Sequence, residues 1–121
     1  MSFTRERGDL GERVAADWLR RNGFLIMERN WRYGRYEIDI IASRWDTVHF
    51  VEVKTRHTGS LTTPEDAITE DKARALRKAA SAYIAARHLT LELQFDLIAV
   101  EIAPDGASDV RYVENAMQYG W

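Results

Sequence analysis

Residues 37–54 read EIDIIASRWDTVHFVEVK, and this stretch decides the fold. Its two ends are apolar, β-branched runs, which are typical of strands buried on at least one face. The polar residues between the runs suit a hairpin connection, and antiparallel pairing would bring Asp39 beside Glu52. Lys54 would point the same way as Glu52, because side chains two apart on a strand share a face.

The charged side chains of these two runs indicate phosphate chemistry. An unpaired charge is costly in an apolar strand, whereas two carboxylates that converge at a sheet surface can hold a divalent cation. The alternative is structural: Glu52 and Lys54 form an edge-strand ion pair, and Asp39 lies in a polar turn. The residues alone leave both interpretations open.

The composition is that of an ordinary globular protein, and one domain spanning residues 1–121 is expected. No apolar run resembles a membrane span or a signal peptide. The lack of cysteine excludes thiolate chemistry and fits a cytoplasmic location. The net charge of −2 argues against a generic basic nucleic-acid binder. Residues 1–56 nevertheless hold 11 Arg and Lys against 9 Asp and Glu, so the basic excess lies with the two motifs.

The spacing of apolar residues predicts the element order α-β-β-β-α-β, followed by a short edge strand. The first helix has Asp9 as its N-cap and ends at Gly23. Pro64 starts a helical turn, and Thr69 caps a longer helix over residues 70–87. The predicted strands are residues 24–28, 38–42, 48–54, 91–102 and 111–113. This order implies an α/β (α+β) fold with a mixed central sheet flanked by helices.

The element order and the spacing of Asp39 to Glu52-Val53-Lys54 resemble the PD-(D/E)XK nuclease superfamily. Within it, the chain resembles the small uncharacterised bacterial family YraN (UPF0102), which is akin to archaeal Holliday junction resolvases. The segments that carry this resemblance are Gly11-Glu12, Gly23-Phe24, Arg29-Asn30-Trp31-Arg32, Glu37-Ile38-Asp39, the run from Phe50 to Arg56, Lys72, Ala79-Ala80 and Phe95-Asp96. One departure is Tyr36, which stands where the family usually has Gly, with Gly34 two residues earlier. This departure predicts a rebuilt approach to the strand, because Tyr takes a positive φ only at a cost.

The resemblance implies a restriction endonuclease-like αβββαβ core and a metal-dependent endonuclease acting on DNA, branched or flapped structures included. Mg²⁺ or Mn²⁺ would be the cofactor, since both prefer carboxylate and carbonyl oxygens. Asp39 and Glu52 would hold the metal, with the peptide carbonyl of Val53 as a further ligand. Lys54 would orient water or stabilise the transition state.

Two other acidic residues have two interpretations each. In related nucleases a Glu on the first helix contributes to the metal site, and Glu12 lies on the flank of the apolar stripe. Alternatively, Asp9 and Glu12 form a pair with capping-box spacing. Glu37 shares the face of Asp39 under strict alternation, so it is a substitute ligand or an exposed strand-end charge, and the second is preferred.

Residues 29–36 interleave arginines with aromatic residues immediately before the Asp39 strand. Such a segment can hold phosphates through guanidinium groups and can stack on bases. Alternatively, Trp31 packs in the core and the arginines are solvated. Nothing specifies a base sequence, so any recognition would be of shape and phosphates. The candidate nucleic-acid contacts are Arg29, Arg32, Arg35 and Arg56.

Two functional classes remain open at this point. The first is a metal-dependent DNA endonuclease, favoured by the intact Asp39, Glu52 and Lys54. The second is a non-catalytic nucleic-acid-binding or protein-interaction module that retains the nuclease fold, favoured by the acidic net charge and by the missing Gly before Glu37. Cutting branched DNA symmetrically suits a homodimer, for which Trp45 and the tail Tyr119-Gly120-Trp121 are candidate interface residues.

Overall fold

The computed structural model describes residues 3–59 and 69–116, with side chains from residue 9 onward. Its elements, in chain order, are α1 (Phe3–Arg21), β1 (Leu25–Tyr33), β2 (Tyr36–Arg44), β3 (Thr47–His57), α2 (Glu70–Arg87), β4 (Glu92–Ile102) and β5 (Ser108–Val113). Among the described residues, no helix combines the length and the apolar character that a membrane crossing requires.

The five strands form one mixed sheet in the order β1-β2-β3-β4-β5. Neighbouring strands are antiparallel except β3 and β4, which run parallel. Two parallel strands need a crossover between them, and the connection that contains α2 provides it. The predicted α/β (α+β) class with a mixed sheet is therefore confirmed, and the element order is consistent with a restriction endonuclease-like core.

The two helices pack on opposite faces of the sheet. Leu19 of α1 belongs to the core cluster that contains Ile40, whereas Tyr83 of α2 belongs to the cluster that contains Ile41. Neighbouring residues of β2 thus enter different clusters, because strand side chains alternate between faces. Burial on both faces explains why the central strands read as almost continuous apolar runs.

A buried polar network lies between β3, β4 and β5 on the α1 face. The Asp96 carboxylate is fully buried. It accepts hydrogen bonds from the Tyr112 hydroxyl at 2.5 Å and the Asn115 peptide N–H at 3.0 Å. Its Oδ2 also lies 2.6 Å from His49 Nδ1. Burial alone would raise the pKa of Asp96, but these hydrogen bonds outweigh it and lower the pKa. The network therefore replaces the water that Asp96 loses on folding.

Several local predictions are confirmed. α2 covers the predicted residues 70–87, and Thr69 caps it by accepting a hydrogen bond from the Lys72 peptide N–H at 3.1 Å. The turn after β2 consists of Trp45 and Asp46, as the hairpin prediction requires. The predicted turn at Pro64 and the aromatic tail, residues 119–121, lie outside the described residues, and the homodimer stays a prediction.

Two local predictions are wrong. α1 begins at Phe3, so Asp9 lies inside the helix and is not its N-cap. The capping-box interpretation of Glu12 fails with it, because that motif requires Asp9 to precede the helix. The first strand does not end at residue 28 but continues to Tyr33. Its polar second half is compatible with a strand because β1 is an edge strand, which can expose charged side chains.

Candidate functional site

The site forms where β2 and β3 separate. Their pairing ends at Ile40 and Val51, while β3 stays paired with β4 throughout its length. Beyond that point the Asp39 carboxylate takes the place of a backbone carbonyl as the partner of β3. Its Oδ2 accepts a hydrogen bond from the Val53 peptide N–H at 2.8 Å. Asp39 is thereby held at the opening between two inner strands of the sheet. The carbonyl of Val53 stays a predicted metal ligand.

α1 brings Glu12 to the same opening. The helix crosses β3 at Gly11, where an added Cβ would lie 1.9 Å from Thr55 Oγ1. Only a glycine permits so close an approach of helix and strand. The following residue, Glu12, is within hydrogen-bonding reach of Asp39 and 3.9 Å from the Arg29 guanidinium. Its role as a metal ligand stays a prediction.

Three carboxylates, which we call the acidic group, converge at this opening. Glu12, Glu37 and Asp39 each offer one oxygen, and these oxygens lie within 4.8 Å of one another. Glu37 is half-buried, so its interpretation as an exposed strand-end charge is wrong. The Asn30 amide nitrogen, oriented to donate, lies 3.0 Å from Glu37 Oε1 and 3.2 Å from each Glu12 carboxylate oxygen.

Glu52 approaches from the side of the sheet that carries α2. Its Oε1 lies 3.7 Å from Lys54 Nζ, and its Oε2 accepts a hydrogen bond from the Tyr36 hydroxyl at 3.4 Å. The positive charge of Lys72, in the first turn of α2, also stabilises its carboxylate. Glu52 and Lys54 do form an ion pair, but β3 is the third of five strands, so the edge-strand interpretation is wrong.

The replacement of the usual Gly by Tyr36 is accommodated by the hairpin between β1 and β2. Gly34 takes the left-handed conformation of the turn, with φ +60°, which costs a residue without Cβ little. Tyr36 is therefore already the first residue of β2. Its hydroxyl is free to reach Glu52, which a Gly could not do.

Burial raises the pKa values of Glu12, Asp39 and Glu52, and repulsion from a neighbouring carboxylate adds to the rise for Glu12 and Asp39. Burial, and after it the charge of Glu52, raises the pKa of Asp39 to about 7. Burial, and after it the charge of Asp39, raises the pKa of Glu12 to about 7. The pKa of Glu52 is also raised by burial, although Lys54 opposes the rise. The site thus concentrates negative charge that the neighbouring side chains only partly balance.

The four predicted phosphate contacts lie in different environments. Arg29 and Arg32 form ion pairs with members of the acidic group. Arg35 is exposed in the turn between β1 and β2. Arg56 is partly buried: its Nη1 donates to the Thr55 carbonyl at 3.3 Å, and its buried Nε has no partner among the described residues. Their contact with nucleic acid stays a prediction.

The structure brings the three motif residues Asp39, Glu52 and Lys54 to one place. Two contributors were missed from the sequence. The Tyr36 hydroxyl could have been found only by assigning the turn to Gly34, which would have put Tyr36 on the strand. Asn30 belongs to a segment that carries the family resemblance, but its contact with the acidic group could not be predicted, because it depends on the pairing of β1 with β2.

Comparison with known proteins places these residues within a family. The family model described as uncharacterised protein family UPF0102 matches residues 11–100. A UPF0102 protein of Porphyromonas gingivalis is 38% identical over 117 residues, covering 96% of this chain and 87% of its own. One from Syntrophomonas wolfei subsp. wolfei is 39% identical over 117 residues, covering 94% and 99%. One from Nitratidesulfovibrio vulgaris is 47% identical over 94 residues, covering 77% and 70%.

Proposed function

The chain belongs to the uncharacterised protein family UPF0102, and because that family name assigns no activity, we propose a function from the site itself. The function is metal-dependent endonucleolytic hydrolysis of phosphodiester bonds in DNA. The observation that carries it is the convergence of Glu12, Glu37 and Asp39, with oxygens within 4.8 Å, beside the Glu52–Lys54 pair.

The donor set fits a hard divalent cation. Carboxylate oxygens are the ligands that Mg²⁺ and Mn²⁺ prefer, and the raised pKa values of Glu12 and Asp39 indicate a place where added positive charge is favourable. Asp39 would hold the ion together with Glu52 and the Val53 carbonyl, and Glu12 and Glu37 each offer a further carboxylate oxygen beside Asp39. When bound, such an ion supplies Lewis-acid stabilisation of phosphoryl oxygens and a more acidic water.

The protein's own residues have separate roles in this proposal. Lys54 presents an ammonium group for the negative charge that develops on the phosphoryl oxygens in the transition state. Glu52 holds Lys54 in place through their ion pair, and the Tyr36 hydroxyl orients Glu52. The Val53 peptide N–H fixes the Asp39 carboxylate at the strand opening.

DNA would approach the site along the β1–β2 hairpin. Arg35 is exposed at its tip, and Arg32 lies on the strand beside it. Arg29 and Arg56 would contact phosphates nearer the carboxylates. Each guanidinium can hold a phosphate through two N–H donors, which positions a duplex without reading its bases.

A second candidate function is a non-catalytic module that binds nucleic acid or protein through the nuclease fold. The observation in its favour is that arginines already neutralise part of the acidic group. Arg32 lies 3.2 Å from Glu37, and Arg29 lies 3.9 Å from Glu12. A site of this kind could be a structural ion-pair network that needs no metal.

The decisive experiment incubates the protein with linear, flapped and four-way DNA in the presence of Mg²⁺ or Mn²⁺. We expect cleavage of at least one substrate by the natural sequence and none by Asp39→Asn, which keeps the side-chain shape and an acceptor for Val53. Lys54→Ala should also lose cleavage but retain most of the binding. Binding without cleavage of any substrate would favour the non-catalytic module.

Thermal unfolding with millimolar Mn²⁺ separates the two functions independently of substrate. An ion that binds only the folded state raises the melting temperature by mass action. We expect such a rise for the natural sequence and its loss in Asp39→Asn. Asp46→Asn, in the turn at the other end of β2, is the matched control and should keep the rise. A melting temperature that does not change with added Mn²⁺ would contradict the metal site.

A further inference from the structure

A surface cavity of about 480 Å³ opens between the β1–β2 hairpin and the outer side of α2, away from the acidic group. Its lining combines one aromatic ring with three cations and two small residues. The lining residues are Tyr33, Arg74, Arg77, Lys78, Ser81 and Ala82. We call this cavity the α2 groove. We propose that it binds a single-stranded segment of DNA.

The aromatic part of the groove is a supported platform. Tyr33 is 49% exposed and stacks on Trp31, with ring centroids 6.4 Å apart and an interplanar angle of 10°. Trp31 in turn packs edge-on against the buried Tyr83 at 5.1 Å. The inner rings therefore support the Tyr33 ring from one side, and about half of the side chain is exposed to solvent. An unpaired base stacks well on such a ring, whatever its identity.

The cationic part of the groove suits the phosphates of the same strand. α2 carries five Arg and Lys against two acidic residues, although the whole chain has a net charge of −2. Arg74 and Arg77 form ion pairs with acidic residues of the first turn of α2 at 3.1 Å and 3.3 Å. These exposed pairs contribute little stability, so a phosphate can replace the carboxylates. Lys78 forms no ion pair with any described residue, and its charge is available.

The groove and the Glu52 part of the candidate site lie on the same side of the sheet, the side that carries α2. Tyr33, at the groove, is the strand partner of Tyr36, whose hydroxyl contacts Glu52. α2 likewise spans both places, since Lys72 acts on Glu52 and Lys78 lines the groove. Base pairs inside a duplex are stacked on both faces and held by pairing, so they cannot turn out onto Tyr33, whereas the bases of an unpaired strand can.

This inference rests on the proposed function and deepens it, because it specifies a substrate that has an unpaired strand next to the cleaved bond. Single-stranded DNA would lie in the α2 groove while the scissile phosphate reaches the carboxylates. The groove thus selects flapped or branched DNA over a blunt duplex by shape and stacking, without reading a sequence.

The test measures binding of a labelled oligodeoxythymidylate by fluorescence anisotropy. All proteins carry Asp39→Asn and the buffer contains EDTA, so that cleavage cannot contribute. We expect Tyr33→Ala to weaken binding about fivefold or more, and Tyr33→Phe to bind as the parent does, because the ring and not the hydroxyl stacks. A blunt duplex of equal length should bind the parent and Tyr33→Ala equally.

Lys78→Ala tests the cationic part of the groove. It should weaken oligodeoxythymidylate binding and shallow the dependence of log affinity on log salt by about 0.7. Arg20→Ala is the control, because it removes the same charge from the exposed side of α1, across the sheet. Circular-dichroism melts establish that each variant is folded. Equal losses for Lys78→Ala and Arg20→Ala, or unchanged binding by Tyr33→Ala, would overturn the inference.

The two proposals can fail separately. If the natural sequence cleaves no DNA with Mg²⁺ or Mn²⁺ but the groove variants lose single-strand binding, the α2 groove stands and the nuclease proposal falls. If duplex and flapped DNA are cleaved at equal rates and Tyr33→Ala changes neither rate nor single-strand affinity, the groove falls and the nuclease proposal stands.

Discussion

Asp39 and Glu12 show how burial among like charges changes the behaviour of single residues. Their pKa values in the folded protein are both about 7, against ordinary values of 3.8 and 4.5. A carboxyl group whose pKa is raised on folding binds its proton more tightly in the folded state. Its contribution to stability is therefore complete below the ordinary pKa and is lost as the pH rises through the folded value.

The metal-free protein should accordingly lose stability as the pH rises from about 4 to above 7. Urea unfolding in EDTA at a series of pH values measures this directly. Asp39→Asn should flatten the profile, because it removes one of the two groups and the charge that raises the pKa of the other. Asp46→Asn, in the exposed β2–β3 turn, should leave the profile unchanged. Parallel profiles for the natural sequence and Asp39→Asn would contradict the assigned pKa values.

At the scale of single residues, the sequence predicted those members of the site that lie in one short stretch. Asp39, Glu52 and Lys54 come together because alternation and hairpin pairing determine their relative positions. Tyr36 and Asn30 depend on a turn conformation and on strand pairing. Neither of these can be inferred from the residue type.

For helices and strands, the agreement between predicted and observed bounds depends on how fully the element is buried or capped. α2 was placed correctly because its apolar stripe and the Thr69 cap give independent signals. The start of α1 was placed too late, since the residues before Asp9 carry no apolar periodicity. The end of β1 was placed too early, because an edge strand need not show the alternation that burial imposes.

The crossing of α1 over β3 is the element contact that sets the position of Glu12. In Gly11→Ala the new Cβ would meet Thr55 Oγ1 at 1.9 Å and Thr55 Cβ at 3.0 Å, so helix and strand must move apart. We expect a loss of about 1–3 kcal/mol in the free energy of unfolding, the usual range for an overpacked contact. Urea titration measures this loss.

The clash predicts how Gly11→Ala combines with a second change. Thr55→Ala removes the nearest atom, so the double variant should be less destabilised than the sum of the two single variants. Arg13→Ala, on the exposed side of the same helix, should change stability by less than about 0.5 kcal/mol. Additive losses in the double variant would mean that the helix does not cross the strand at this point.

At the scale of the whole molecule, the net charge of −2 conceals a separation of charge. Residues 88–116 hold six acidic residues and one Arg, whereas α2 holds five basic residues against two acidic ones. The acidic excess therefore lies in the β4–β5 part of the chain, apart from the hairpin and α2. Composition alone could not reveal this separation, because it depends on where the charged residues lie along the chain. A net charge of −2 therefore does not exclude a local surface that binds nucleic acid.

Salt dependence of DNA binding distinguishes local charge from net charge. The slope of log affinity against log salt counts the phosphates that the protein neutralises. Arg35 is exposed at the hairpin tip, so Arg35→Ala should shallow the slope for duplex DNA by about 0.9. Glu101 and Asp109 are paired on β4 and β5, and the double variant Glu101→Gln/Asp109→Asn raises the net charge by two. That variant should leave the slope unchanged, because none of the proposed phosphate contacts lies on β4 or β5. A slope that steepened in the double variant, or a natural sequence without salt-dependent affinity, would show that the hairpin does not hold DNA.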